Sequence, residues 1–137
     1  VFGRIGLVPD AGGFYLLPRI VGLQRAKDIM FTARSFGSEE AKDMGIVYEI
    51  HPQDVLLDRA MEFAGRFRHA SRQAIGLTKN VLNQSLNLDE KAVGQLEAYA
   101  QGVAFATEYS GEAINNFLEK RPLAFDWDKM ARAAKKD

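Results

Sequence analysis

Along most of the chain, apolar residues return every three or four positions, the spacing of one face of an α-helix. Leu56, Ala60, Phe63, Ala64 and Phe67 form such a face, with Asp54 placed ahead of them as a cap. Ser71 stands before Ala74, Leu77, Val81 and Leu82 and predicts a second capped helix. Ala92, Leu96, Tyr99, Val103 and Ala106 predict one long helix from Asp89 to about Tyr109. Gly94 and Gly102 each cost such a helix about 1 kcal/mol, which close packing would explain. Ser110 predicts the cap of a further helix over 112–121, with Ile114 and Phe117 inward and Pro122 ending it. From Trp127 the pattern begins amphipathic and frays over the last five residues, 133–137.

The first fifty or so positions mix two periods. Ile5, Leu7 and Val8 read as a short strand that runs into Pro9, Asp10, Ala11, Gly12 and Gly13. A helix carrying Phe14, Leu16, Leu17 and Ile20 follows, and Gly22 stops it. Ala26, Ile29, Met30 and Ala33 predict the next helix, over 24–33. Ser38, followed by Glu39 and Glu40, predicts a short capped helix ended by Gly45, and Ile46 to Ile50 has the β-branched and aromatic content of a second strand. Two short strands do not make a self-sufficient sheet. Residues 1–52 therefore read as the incomplete end of an α/β core, and 53–137 as a helical region whose apolar faces must meet an oligomer partner or an internal core.

Composition narrows the function classes. Eighteen basic and eighteen acidic residues cancel, so neither nucleic acid nor a membrane surface is an expected partner. Absence of cysteine excludes disulfides and thiol catalysis and fits a reducing, cytoplasmic location. No apolar run approaches the ~20 residues of a membrane-spanning helix. The chain opens on Val1, a few residues before a strand-like segment, and reads as a part of something larger. His51 and His69 lack the partner spacing of a metal site or a triad, so no metal is expected. Two adjacent glycines at 12 and 13 are too short a pattern for a phosphate loop. Arg19 and Arg34 read as surface groups or carboxylate partners.

Asp10 is the candidate for chemistry. The proline fixes the backbone before it and the glycines let another group come close, so its carboxylate would be held firmly at the edge of a cleft. A second reading stands beside this one: an aspartate just ahead of a helix is a good N-cap. The helix dipole would increase its acidity and burial in an apolar cleft would decrease it, and pattern alone leaves both open.

The run from Ile5 to Gly13, with Leu17-Pro18-Arg19-Ile20-Val21-Gly22, resembles the crotonase superfamily, the enoyl-CoA hydratase/isomerase family. Ser38 to Val47 is similar to that family's S-x-x-E-A-x-x-x-G-L-V stretch, with its acids one place offset. Gly111-Glu112-Ala113 with Phe117 to Pro122 is similar to its C-terminal E-G-x-x-A-F-x-E-K-R helix, with Asn115-Asn116 as the departure. The resemblance covers essentially the whole chain but only the latter half of a family member. It implies the α/β crotonase fold, of which this chain is the mostly helical C-terminal half.

The resemblance further implies an enzyme of fatty acid metabolism that binds an acyl-CoA thioester and stabilises its enolate between two backbone N–H groups. It needs no cofactor beyond the coenzyme A of its substrate. Both of those N–H segments would precede Val1, so the chain by itself is expected to be inactive. Asp10 falls where several isomerase-type members carry an acid/base aspartate, while Phe2 falls where hydratases carry a second acid. The implied reaction therefore leans to double-bond isomerisation, in particular the ring-opening phenylacetyl-CoA isomerase type. Phe2, Pro9, Gly12 and Gly13 are the implied substrate-binding residues, and Phe117 and Lys120 the implied contacts to the CoA nucleotide. On residue pattern alone, Lys120 also reads as an ordinary solvated lysine at a helix end. Family members are commonly trimers or dimers of trimers, which implies a homo-oligomer of that kind. The rival is a non-catalytic helical module that assembles a larger protein, with Asp10 serving only as a cap.

Overall fold

The structure is a computed structural model and describes residues 1–133. Among the described residues it is helices and connecting turns, with no strand. The chain divides into two compact units at Arg59/Ala60. No helix among the described residues is long and apolar enough to cross a membrane. The fraying expected over 133–137 lies outside the described residues except at Ala133.

In the first unit, a 3₁₀ turn over Phe2–Ile5 leads through an irregular link to helix α1 (Gly13–Val21) and helix α2 (Leu23–Thr32). Helix α3 (Ser38–Asp43) follows. The core is small: Val21, Ala26 and Met44 are buried, with Leu17, Ile29, Phe36 and Ile46 packed on them. Ala26, on α2, is the most deeply buried of the three at 2 % exposed. Gly22 separates the two helices at φ +82°, a conformation that L-residues rarely adopt, and its N–H closes α1 on the Pro18 carbonyl at 3.0 Å. The Arg4 Nε–H reaches the Ala33 carbonyl at 3.0 Å and ties the N-terminal turn to the end of α2.

Both expected strands are absent. The residues from Ile5 to Val8 and from Ile46 to Ile50 have the side chains of strands, but a strand is stabilised by a partner ladder and none is present among the described residues. Ser38 is the first residue of α3 rather than its cap; Gly37 holds the cap position without a side-chain bond.

Helix α4 (Leu56–Arg66) starts with the Val55 carbonyl accepting from Arg59 N–H at 3.0 Å, so Asp54 lies one position too early to cap it. Helix α5 (Arg72–Ser85) opens on the expected cap, Ser71, and helix α6 (Glu90–Phe105) opens on Asp89, where the apolar period places its start. Ser71 Oγ accepts from Ala74 N–H at 3.2 Å, and Asp89 Oδ1 from Ala92 N–H at 2.8 Å. The single long helix expected to Tyr109 instead breaks after Phe105. Thr107 accepts from Ser110 N–H at 3.3 Å and starts helix α7 (Glu108–Leu118), so the cap is Thr107 and not Ser110. Among the described residues, Gly94 and Gly102 have no neighbour within 4 Å of where a Cβ would stand, so close packing among them does not account for these glycines. Helix α8 (Trp127–Ala133) places Trp127 against Phe63, Phe67 and Phe125, with ring centroids 5.3–6.2 Å away. Ile114 and Phe117, expected inward, are instead exposed, Phe117 at 71 %.

Candidate functional site

The N-terminal turn positions the site residues through backbone geometry. Leu7 N–H donates to the Phe2 carbonyl at 3.0 Å and folds the chain back before Pro9. Ala11 (φ +52°) and Gly12 (φ +81°) then carry it through two successive left-handed residues, and Gly13 N–H closes the loop on the Asp10 carbonyl at 2.9 Å. Helix α1 begins at Gly13 with Gly12 as its N-cap, and no side chain caps it.

Asp10 is therefore not the cap. Its side chain is exposed, and among the described residues its carboxylate accepts no hydrogen bond. The turn orders its backbone while its oxygens are left open to a reacting group.

Phe2, Pro9 and Gly13 line one hollow of about 200 Å³ in the first unit, walled on its other side by Leu17, Ile29 and Met30. Asp10 and Gly12 do not line it. Asp10 nevertheless stands beside it, joined to Pro9 by the peptide bond and to Gly13 by the hydrogen bond just described. The walls on α1 and α2 were not foreseen as site residues. Their only sequence signal is helical spacing, which reads equally as core.

Arg34 stands at the edge of the hollow, and its expected carboxylate partners are there. Its Nη1 and Nη2 donate to the two Glu40 oxygens at 3.1 and 2.6 Å, and its Nε to Asp28 Oδ2 at 3.0 Å. These hydrogen bonds hold the Glu40 carboxyl below the usual carboxylate range, against a smaller opposing effect of desolvation. They raise Arg34 further into the range where it is always charged. The depressed Glu40 pKa fixes the sign of a pH effect. The clasp's contribution is complete above the ordinary glutamate value, near ~4.3, and disappears as pH falls through the lower folded value. Glu40→Gln should thus destabilise the protein at neutral pH and match wild type once Glu40 is protonated, which urea unfolding at both extremes checks.

Phe117 and Lys120 lie in the second unit, on the last turn of α7 and just beyond it. Lys120 adopts φ +55°; its N–H donates to the Phe117 carbonyl at 3.1 Å, and Arg121 N–H to the Asn116 carbonyl at 2.8 Å. This paired termination is usually made with glycine at the left-handed position. Here it fixes a lysine's backbone in a single orientation two residues before Pro122. Phe117 also lines a groove of about 380 Å³ with Tyr109, Ile114 and Leu123. Among the described residues no group of three or more His, Asp or Glu side chains could hold a metal ion. His51 pairs with the nearby Glu49, at 2.9 Å.

A family profile described as "Enoyl-CoA hydratase/isomerase" matches residues 1–129. The chain is 34% identical over 121 residues to a crotonyl-CoA hydratase of Syntrophomonas wolfei, covering 88% of this chain and 46% of that protein. It is 30% identical over 127 residues to a 1,2-epoxyphenylacetyl-CoA isomerase of Escherichia coli, covering 90% of this chain and 47% of that protein. Among solved structures, an enoyl-CoA hydratase/isomerase from Cupriavidus metallidurans superposes with a TM-score of 0.84 at 48% identity, over 89% of this chain and 46% of that one. The chain thus spans about half the length of the relatives it matches.

Proposed function

Because this chain belongs to the enoyl-CoA hydratase/isomerase family, we propose that the whole protein is an acyl-CoA enzyme that works through a thioester enolate, with Asp10 as the acid/base and double-bond isomerisation as its main reaction. The observation that carries this reading is the state of Asp10: its backbone is fixed by the turn, and among the described residues its carboxylate is neither a cap nor part of an ion pair. The thioester carbonyl acidifies the neighbouring C–H. The Asp10 carboxylate takes that proton while the negative charge moves to the thioester oxygen, where backbone N–H donors outside this chain would stabilise it. Redelivery of the same proton two carbons further along moves the double bond. One carboxylate suffices for this shuttle.

Hydration asks for more, because a water must be activated and added across the double bond. Phe2, at the place where the family's hydratases carry a second acid, cannot transfer a proton. This favours isomerisation. On this reading Phe2, Pro9, Gly12 and Gly13 bound the acyl group, while Phe117 and Lys120 serve the CoA nucleotide, Lys120 as a point charge for phosphate. Homo-oligomers of the trimeric kind and a cytoplasmic location complete the proposal.

The test is to follow the whole protein on 3-enoyl-CoA and 2-enoyl-CoA substrates, measuring double-bond migration and water addition separately. Migration should be the faster reaction. Hydration as the faster reaction would remove the isomerase reading, and activity on neither substrate would favour the rival, an assembly module. That rival is supported by the apolar residues that α6 and α7 expose.

A further inference from the structure

We infer that the hollow between the N-terminal turn and α2 receives the acyl end of the thioester, that it takes a compact uncharged group, and that Met30 sets the size of that group. The inference rests on the acyl-CoA reading above and adds the substrate class to it. Size gives the first argument. An apolar cavity of about 150 Å³ is enough to hold benzene, and this hollow measures about 200 Å³. It therefore has room for one ring or a short chain.

The walls give the second argument. Phe2, Pro9, Leu17, Ile29 and Met30 present hydrocarbon or thioether surface. Among the described residues lining the hollow, Arg34 is the one with a charged side chain. Its guanidinium is already bound to Glu40 and Asp28. One cation between two carboxylates leaves the cluster net negative, so a carboxylate at the far end of an acyl chain would gain no free cation and would be repelled.

Met30 is placed to set the size. A Cβ built on Gly13 would stand 3.6 Å from Pro9 Cβ and 3.9 Å from Met30 Cε, ordinary contact distances. The methionine terminus thus approaches the first residue of α1 across the hollow. An unbranched thioether can shift to fit an occupant, whereas a ring at the same position cannot. The same distances mean that Gly13→Ala fits the fold while taking up space that the occupant would use.

The experiment measures binding of butyryl-, hexanoyl-, octanoyl-, phenylacetyl- and adipyl-CoA, with CoA alone as reference, to the whole protein and its Met30→Ala, Met30→Phe and Gly13→Ala variants by calorimetry. Met30→Phe should weaken octanoyl- and phenylacetyl-CoA by about tenfold or more relative to butyryl-CoA, the scale of a methylene-sized misfit. Met30→Ala should shift the preference toward the larger groups. Wild type should bind adipyl-CoA more weakly than hexanoyl-CoA. Unchanged ratios in variants whose circular dichroism is that of wild type would overturn the inference, as would acyl-CoAs that bind no better than CoA. Should the Met30 variants fail to fold, Gly13→Ala makes the same comparison, and unchanged ratios there overturn it too. The readout is independent of Asp10. A Met30-dependent preference in a protein whose Asp10→Asn variant keeps full turnover would sink the proposed mechanism and leave the hollow's role intact.

Discussion

Asp10→Asn in the whole protein is expected to lower turnover by about 10²- to 10⁴-fold, the usual contribution of a positioned acid/base, with KM little changed. Asparagine has nearly the shape of aspartate but does not accept a proton at neutral pH. Stability should stay within about 0.5 kcal/mol of wild type, because the side chain is exposed and bonded to nothing among the described residues. The pairing of a large kinetic effect with a negligible thermodynamic one is the informative result. A cap would show the reverse: about 1 kcal/mol of lost stability and unchanged turnover. Steady-state kinetics and denaturant unfolding of the same two preparations separate the cases.

The second large effect concerns assembly. The 137-residue chain is expected to sediment at micromolar concentration well above its monomer mass of 15.3 kDa. Helix α6 exposes Tyr99 and Val103 four residues apart, and α7 exposes Ile114, Phe117 and Leu118 at the same helical spacing. Tyr99, Phe117 and Leu118 are each 71–72 % exposed. Such ridges are the surfaces that association covers, at about 25 cal/mol per Å² of apolar area. Leu118→Ser combined with Tyr99→Ser should return much of the population to monomer. A wild-type chain that sediments at 15.3 kDa throughout would contradict the expectation.

What the sequence revealed, and what it did not, follows the range of the interactions involved. Ser71 was legible as a cap because a cap is a bond across three residues, and that bond is made. Helices α1 and α2, and the glycine that separates them, were legible for the same reason. The cap reading of Asp10 fails because Gly12 holds the cap position two residues later, and the left-handed turn at Ala11 and Gly12 is a backbone choice that residue type only suggests. Thr107 was hidden because the apolar period of α6 runs on through Ala106, and nothing local marks the break until its Oγ is seen accepting a bond. The expected strands failed in another way: their side chains are suitable, but a ladder needs a partner that local pattern does not supply. The hollow is the clearest case. Phe2, Pro9 and Gly13 came from family resemblance, but their meeting with Ile29 and Met30 depends on how α2 packs, and no short-range signal carries that.

The central claim is that Asp10 moves a proton at the carbon next to a thioester carbonyl. Deuterium exchange tests it without reference to which product the enzyme makes. The whole protein is incubated with a saturated acyl-CoA in D₂O, so that exchange is the only reaction open, and the α-carbon protons are followed by NMR. Wild type is predicted to exchange them, and Asp10→Asn to exchange them at least about 10²-fold more slowly. Exchange by Asp10→Asn at the wild-type rate would contradict the account.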